Sequence, residues 1–169
     1  MQIPACYDDA MSRKYPEQVV LVIARDSTGK CNPMAAGWVM IASSQPPMMA
    51  VALGTARHTL EAIGHSREFV ISFPGEGMAE DTLYYGTVSG RDEDKLAVRR
   101  ARTQSAEKIE CVLLSDAVAS FECALEGEMP AGDHVIVVGR VVASHVNSDA
   151  GLRRLFNLGE RNLQPLPVR

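Results

Sequence analysis

The sequence predicts a mainly β protein, an antiparallel β domain with short helices inserted between strands, consistent with a barrel. Apolar, β-branched runs of strand length recur along the chain, each closed by Gly, Pro, Asp or Ser clusters. Strands and helices do not alternate regularly, which argues against a doubly wound nucleotide-binding sheet. At 169 residues, 46% hydrophobic and 22% charged, the chain has the composition of a soluble globular protein with one substantial core. Residues 1–169 are therefore read as a single domain.

Residues 18–25 form a β-branched run closed by Asp26-Ser27-Thr28-Gly29, hence a strand and a turn. Residues 34–42 and 48–53 read as a strand pair joined across Ser43-Ser44-Gln45-Pro46-Pro47. Helical spacing follows over 59–65, with Leu60, Ile63 and Gly64 on one side and Thr59 as N-cap. Alternation over 68–73 predicts another strand. Residues 78–85 and the charge-dense 92–101 are helical candidates. Residues 119–126 and the long β-branched 134–146 complete the strands. No internal repeat or low-complexity tract interrupts the series.

Charge and composition remove several functions. A net charge of −4 lacks the basic footprint of a general nucleic-acid binder, while leaving room for a local phosphate pocket. No apolar run reaches membrane-spanning length, and the first ten residues lack the pattern of a secretory signal. The expected location is cytoplasmic. Cys6, Cys31, Cys111 and Cys123 have no C-x-x-C spacing or zinc-type histidine partners, so no metal site is expected and the thiols are read as reduced packing residues. Cys31 stands apart because it adjoins Asn32.

Three motifs fail on inspection. Gly75-Glu76-Gly77 begins a dinucleotide pattern whose third glycine position is Glu80. Gly29-Lys30 resembles the end of a phosphate loop, but the upstream glycine is missing and Cys31 replaces the hydroxyl. Gly64-His65-Ser66-Arg67-Glu68 lacks the last glycine of a nucleophile elbow and lies between a helix and a strand, the reverse of the required order.

The most informative stretch is 32–51, where a segment holding the only tryptophan runs into a hydroxyl and double-proline turn. Arg57, His58 and Thr59 follow at a helix start, whose free amides favour an anion. An aromatic among small residues, then hydroxyls and a helix N-terminus, suits a ligand with a flat ring and a phosphate, such as FMN. Each residue also has a plain structural reading: Trp38 as core aromatic, Asn32 as a turn residue before Pro33, Ser43 and Ser44 as turn solvation, Thr59 as a cap, Arg57 and Lys95 as surface charges, and His134 as a solvated strand-end residue.

Taken with Ser72, Tyr85-Gly86, Ser89-Gly90-Arg91, Asp94-Lys95, Phe121-Glu122-Cys123, Gly132-Asp133-His134 and Gly139, this order of residues resembles the flavin reductase-like, FMN-binding split-barrel family, in its flavoredoxin-like branch. The resemblance spans residues 20–162. It implies an FMN-binding split β-barrel of Greek-key type, with FMN as cofactor and NADH or NADPH as co-substrate. It also implies a homodimer that passes electrons to an acceptor or a monooxygenase partner. On this resemblance Asn32, Met34, Ala35, Ala36, Gly37 and Trp38 approach the flavin ring. Ser43 or Ser44 bonds the ribityl chain or phosphate, Lys95, with Arg57 and the Thr59 helix start, holds the phosphate, and Ser89-Gly90 forms the turn that positions the lysine's segment. His134 faces the nicotinamide side, where it bonds the cofactor or supports charge on the reduced ring, and Phe156 covers the flavin, within one subunit or across the dimer interface. Two departures weaken parts of the pattern: Ala35 and Ala36 replace a threonine, and Asn162 and Leu163 stand where an aromatic is expected. The alternatives are an FMN electron carrier without turnover and a barrel holding flavin as a sensor or holding another cofactor. A hydrolase is the least supported.

Overall fold

The computed structural model describes residues 1–167. In chain order the elements are α1 (Tyr7–Ser12), β1 (Glu17–Gln18), β2 (Val20–Arg25), β3 (Cys31–Ala36), β4 (Val39–Ser44), β5 (Pro47–Gly54), α2 (His58–Ser66) and β6 (Glu68–Pro74). A 3-10 turn (Glu76–Met78), α3 (Ala79–Thr87), α4 (Lys95–Val98), β7 (Thr103–Ser105), β8 (Val112–Leu114), β9 (Ala117–Ala131), β10 (His134–Val146), β11 (Leu155–Asn157) and β12 (Leu163–Pro165) follow.

Seven strands form one antiparallel sheet in the order β3-β2-β6-β9-β10-β5-β4. The β9–β10 hairpin is inserted between β6 and β5, a Greek-key arrangement. The outermost strands, β3 and β4, are consecutive in the chain and separated only by Gly37 and Trp38. A sheet whose two edges are joined by so short a link must curl back on itself, and this closes the barrel. Two bonds fasten the seam: the Ala52 amide donates to the Trp38 carbonyl at 2.9 Å, and the Gln18 side-chain amide donates to the Val39 carbonyl.

Strand β2 shows why its sequence is continuously apolar rather than alternating. Val20, Val22 and Ala24 point into the barrel core with Phe69, Ile71, Val137 and the α2 residues Ala62 and Ile63. Leu21 and Ile23 point the other way, into a second core with Tyr85, Leu113, Leu114 and Leu155. A strand covered on both faces needs apolar residues at every position. Each of these large side chains gains about 1.5–3 kcal/mol from burial. The second core is roofed by α3, the β7–β8 hairpin and β11, which hold the outer wall near the start of α2.

Three expectations need correction. The run 34–42 is two strands, broken at Gly37, where a β-carbon would come within 3.1 Å of the Glu17 Oε1. Trp38 is consequently at the bend, 49% exposed, and is no core aromatic. Of 92–101, only Lys95–Val98 is helical, because Asp94 caps a single turn through the Ala97 amide at 3.1 Å. The N-cap of α2 is Arg57, in extended conformation with no side-chain cap bond, whereas Thr59 lies inside the first turn.

Candidate functional site

The loop after β5, the start of α2 and the loop from α3 to α4 enclose a polar hollow of about 210 Å³. Asn32, Met34, Arg57, Thr59, Ser89 and Lys95 all border it, so six of the sequence-predicted residues converge there. No side chain caps α2, so its first-turn amides require partners from outside the helix. The buried Asn32 donates through Nδ2 to the Thr59 hydroxyl at 2.9 Å, while its Oδ1 is buried without a partner. Gly90 makes this approach possible. A β-carbon there would overlap Asn32 Oδ1 and lie 2.9 Å from His58 Cδ2.

Positive charge accumulates at this hollow. The Lys95 side chain is buried, and its ammonium donates to the carbonyls of Tyr85 at 3.0 Å and Val88 at 3.2 Å. Burial, and then the neighbouring Arg57 charge, push its pKa down to about 8. Its assumed role as a surface charge is thus wrong in placement. Arg57 has no ion pair among the described residues, while Arg91 is already engaged by Glu61 at 2.8 Å. Two cations that have no ion pair among the described residues, beside a helix start with no side-chain cap, suit a doubly charged phosphate.

A dyad that sequence reasoning passed over supports this wall. His58 donates through Nε2 to Asp26 Oδ2 at 3.2 Å. Asp26 also accepts from the Thr28 and Lys30 amides at 2.8 and 3.1 Å. Burial pushes the Asp26 carboxyl upward, but the Thr28 hydroxyl, the His58 ring and those amides outweigh it and bring it down to about 2. The Asp-Ser-Thr-Gly turn was the signal in the sequence: an Asp heading such a turn commonly bonds amides two or more residues on. Its reach to His58 had no local sign.

A second, larger hollow of about 420 Å³ is bordered by Ala35, Ala36, Gly37, Leu83, Gly86 and Thr87, together with Tyr15 and residues of the closing segment. Gly86 and Thr87 also border the polar hollow, so the two share a wall. Beyond Arg57, Gly54 leads to His134: a β-carbon on Gly54 would lie 3.6 Å from Arg57 Cγ and 3.8 Å from His134 Nε2. The His134 ring sits against Trp38, with centroids 4.5 Å apart and planes tilted by 40°. Its Nδ1 donates to Asp133 at 2.7 Å, which leaves Nε2 for another partner.

Three predicted residues lie elsewhere. Ser43 and Ser44 pair with Met48 and Pro47, at the end of β5 opposite to Gly54 and the α2 start, because the hairpin register carries them away. Phe156 borders neither hollow. It packs on Arg154, whose guanidinium lies between the rings of Phe73 and Phe156 at 4.6 and 4.4 Å. Among the described residues there is no cluster of three or more His, Cys, Asp or Glu able to hold a metal ion.

Comparison with known proteins agrees with this geometry. The NADH-dependent FMN reductase AsuE2 of Streptomyces nodosus subsp. asukaensis is 29% identical over 78% of this chain and 70% of its own length. The crystal structure of an FMN-binding protein from Thermus thermophilus superposes with a TM-score of 0.84 at 26% identity, covering 100% of this chain and 96% of that one. Flavoredoxin from Methanosarcina acetivorans shares the fold, with a TM-score of 0.87 at 22% identity over 100% of this chain and 93% of that one. A family model described as flavin reductase like domain matches residues 11–163, and the chain belongs to that family.

Proposed function

We propose that this protein binds FMN and transfers hydride from NADH or NADPH to it, passing the electrons on to an acceptor. The observation that carries this reading is the polar hollow, where Lys95 and Arg57 have no ion pair among the described residues, the start of α2 has no side-chain cap and Asn32 Oδ1 lacks a donor. These residues fit the phosphate end of FMN. The adjoining hollow along Ala35, Ala36 and Gly37 suits a flat ring that approaches backbone closely. When bound, FMN supplies a ring that takes up hydride and releases electrons singly or in pairs.

The chain's own contribution is placement and charge. Lys95 and Arg57 would neutralise the phosphate, and the α2 amides would donate to its oxygens. Asn32 would be a donor or acceptor at the ligand once its amide is freed or shared with Thr59. With Nδ1 tied to Asp133, His134 presents Nε2 beside Trp38, where it would hydrogen-bond the cofactor or offset negative charge developing on it. Trp38 would shield one face of the ring from water.

A homodimer belongs to the same proposal. Met40 on the edge strand β4 is 60% exposed, and with Trp38 it borders a nearly wholly apolar hollow over Ala50, Val51 and Ile136. Large apolar side chains in contiguous exposure favour association. Among the described residues no helix is long and apolar enough to cross a membrane.

Anaerobic titration tests the reading. Purified protein is saturated with FMN, separated from free flavin, and mixed with NADH or NADPH while the flavin absorbance is followed. Rapid bleaching is the expected result. Flavin that binds but resists both nucleotides would make the protein an electron carrier reduced by another protein. Failure to bind FMN would overturn the proposal.

A further inference from the structure

Cys31 and Cys111 are 80 positions apart in the sequence, yet both pack in the second core on the outer face of the sheet, near enough to shift each other's titration. Side chains alternate along β3, so Cys31 points away from the hollow that Asn32 borders and joins the second core. Several contacts fix the pair. Cys31 is registered opposite Arg25 on β2, and the Arg25 guanidinium is ion-paired with Glu110, the residue before Cys111. Cys111 donates from Sγ to the Ile23 carbonyl at 3.6 Å, and its own carbonyl accepts from the Ala106 amide at 3.0 Å.

The two thiols differ in access. Cys111 is buried, with 8% of its surface exposed. Cys31 is partly exposed and borders an open hollow with Leu96, Ala97, Arg100 and Val112. A small solute oxidant therefore meets Cys31 first and finds Cys111 directly behind it. Contact with the Cys111 sulfur, together with the Val112 amide and the Arg25 charge, outweighs burial and lowers the Cys31 thiol below the ordinary thiol range, while the same contact and burial push Cys111 up. Thiolate character and access together select the attacking sulfur.

We propose that Cys31 and Cys111 form a reversible intramolecular disulfide when the protein meets hydrogen peroxide, with Cys31 as the attacking and Cys111 as the resolving thiol. In the first step the Cys31 sulfur attacks peroxide. An S–O bond forms, the O–O bond breaks, and the thiol proton leaves with the departing oxygen as water, giving a sulfenic acid. The Cys111 sulfur then attacks the Cys31 sulfur. The S–S bond forms, the S–O bond breaks, and the sulfenic hydroxyl leaves with the Cys111 proton as a second water. Two thiols are oxidised by two electrons in all, and one peroxide is reduced to two waters. A thiol reductant restores the pair.

The test treats the full-length protein with a few equivalents of hydrogen peroxide, alkylates free thiols, digests and maps the peptides by mass. The expected product is a Cys31–Cys111 cross-linked peptide, lighter by two hydrogens and reversed by dithiothreitol, with Cys123 still free. Its rate of formation should fall as pH is lowered, following the thiolate. Cys111→Ser should give a dimedone-reactive sulfenic acid at Cys31 and no cross-link, and Cys31→Ser should leave Cys111 alkylatable. Recovery of both thiols alkylated from treated wild type would overturn the proposal. So would stable over-oxidation of Cys31 without a cross-link, or cross-linking to Cys6 instead. These readouts follow sulfur chemistry and stand whether or not FMN binds.

Discussion

Replacing Gly90 by alanine tests the hollow more sharply than removing any of its charged groups. The added methyl would overlap Asn32 Oδ1 and come within 2.5 Å of Asn32 Cγ and 2.9 Å of His58 Cδ2. Asn32 is the part able to yield, and to do so it must give up its 2.9 Å bond to Thr59. Both residues are buried, at 6% and 1% exposure, so water cannot replace that bond. Stranding a buried amide and hydroxyl costs about 1–3 kcal/mol. For a chain of this length each kcal/mol moves the melting midpoint by roughly 2–4 °C, so a drop of roughly 2–12 °C is expected. Urea denaturation with an unchanged slope would confirm that stability alone has changed. FMN affinity should fall in the same variant, because Asn32 and the α2 start are displaced together. Gly77→Ala is the matched control: nothing lies within 4 Å of a β-carbon there, and the site is in the exposed 3-10 turn. It should leave stability unchanged or raised by up to about 1 kcal/mol. A Gly90→Ala protein as stable as wild type, binding FMN equally well, would refute the close approach on which the site is built.

Four further outcomes follow from the same structure. Lys95→Met removes a charge-assisted contact of about 1.5–3 kcal/mol, so FMN should bind roughly 10- to 150-fold more weakly, as read by equilibrium titration. In the unligated protein Lys95 titrates at about 8, against 10.5 when unfolded, so the unfolded chain holds more protons between these values and stability should rise with pH across that window; Lys95→Met should abolish the rise. Glu122 is fully buried and accepts from the Glu107 and Lys108 amides at 2.7 Å each and from His145 at 2.6 Å. Burial would raise its pKa, but these donors hold it below the ordinary 4.5, so its contribution is complete above that pH and lost as pH falls through the lower native value. Glu122→Gln sets an amide N–H₂ against a donor, should cost about 1–3 kcal/mol at pH 7 by denaturant melts, and should flatten the acid limb while leaving FMN affinity unchanged. Trp38 is the only tryptophan, so its emission should be quenched as FMN binds; emission unchanged at saturation would place the ring elsewhere.

Strands with strong composition were legible in the sequence. The run 134–146 is β10 as expected, 18–25 contains β2, and the Ser-Ser-Gln-Pro-Pro turn marked the β4–β5 hairpin. The break at Gly37 and Trp38 was not, since apolar residues continue through it and only barrel closure demands a bend. Strands β7, β8, β11 and β12 have three residues each, too few to show a period. Within the site, the α2 start, with Arg57 and Thr59, carried a local signal. Ser43 and Ser44 were misplaced because a hydroxyl cluster beside prolines says nothing about which end of a hairpin faces the helix. Lys95 stands in a charged stretch that reads as solvated, and only the tertiary fold buries it against the carbonyls ending α3. Asp26 with His58, and Cys31 with Cys111, depend on long-range register, which residue spacing does not encode.

The seam between β3 and β4 limits how widely the proposed ring site can gape. Barrels breathe by parting adjacent strands, and these two strands share no ladder that could part. They are tethered instead by the covalent chain itself: from Ala36 to Val39 there are three Cα steps of about 3.8 Å, so those residues can never separate by more than roughly 11 Å. A loop-gated site can swing open by the full length of its lid. Here Gly37 both borders the hollow and belongs to the tether, so the wall cannot swing away from the strands that it joins. An insertion at this point would lengthen the tether and loosen the ligand's seat in a single change.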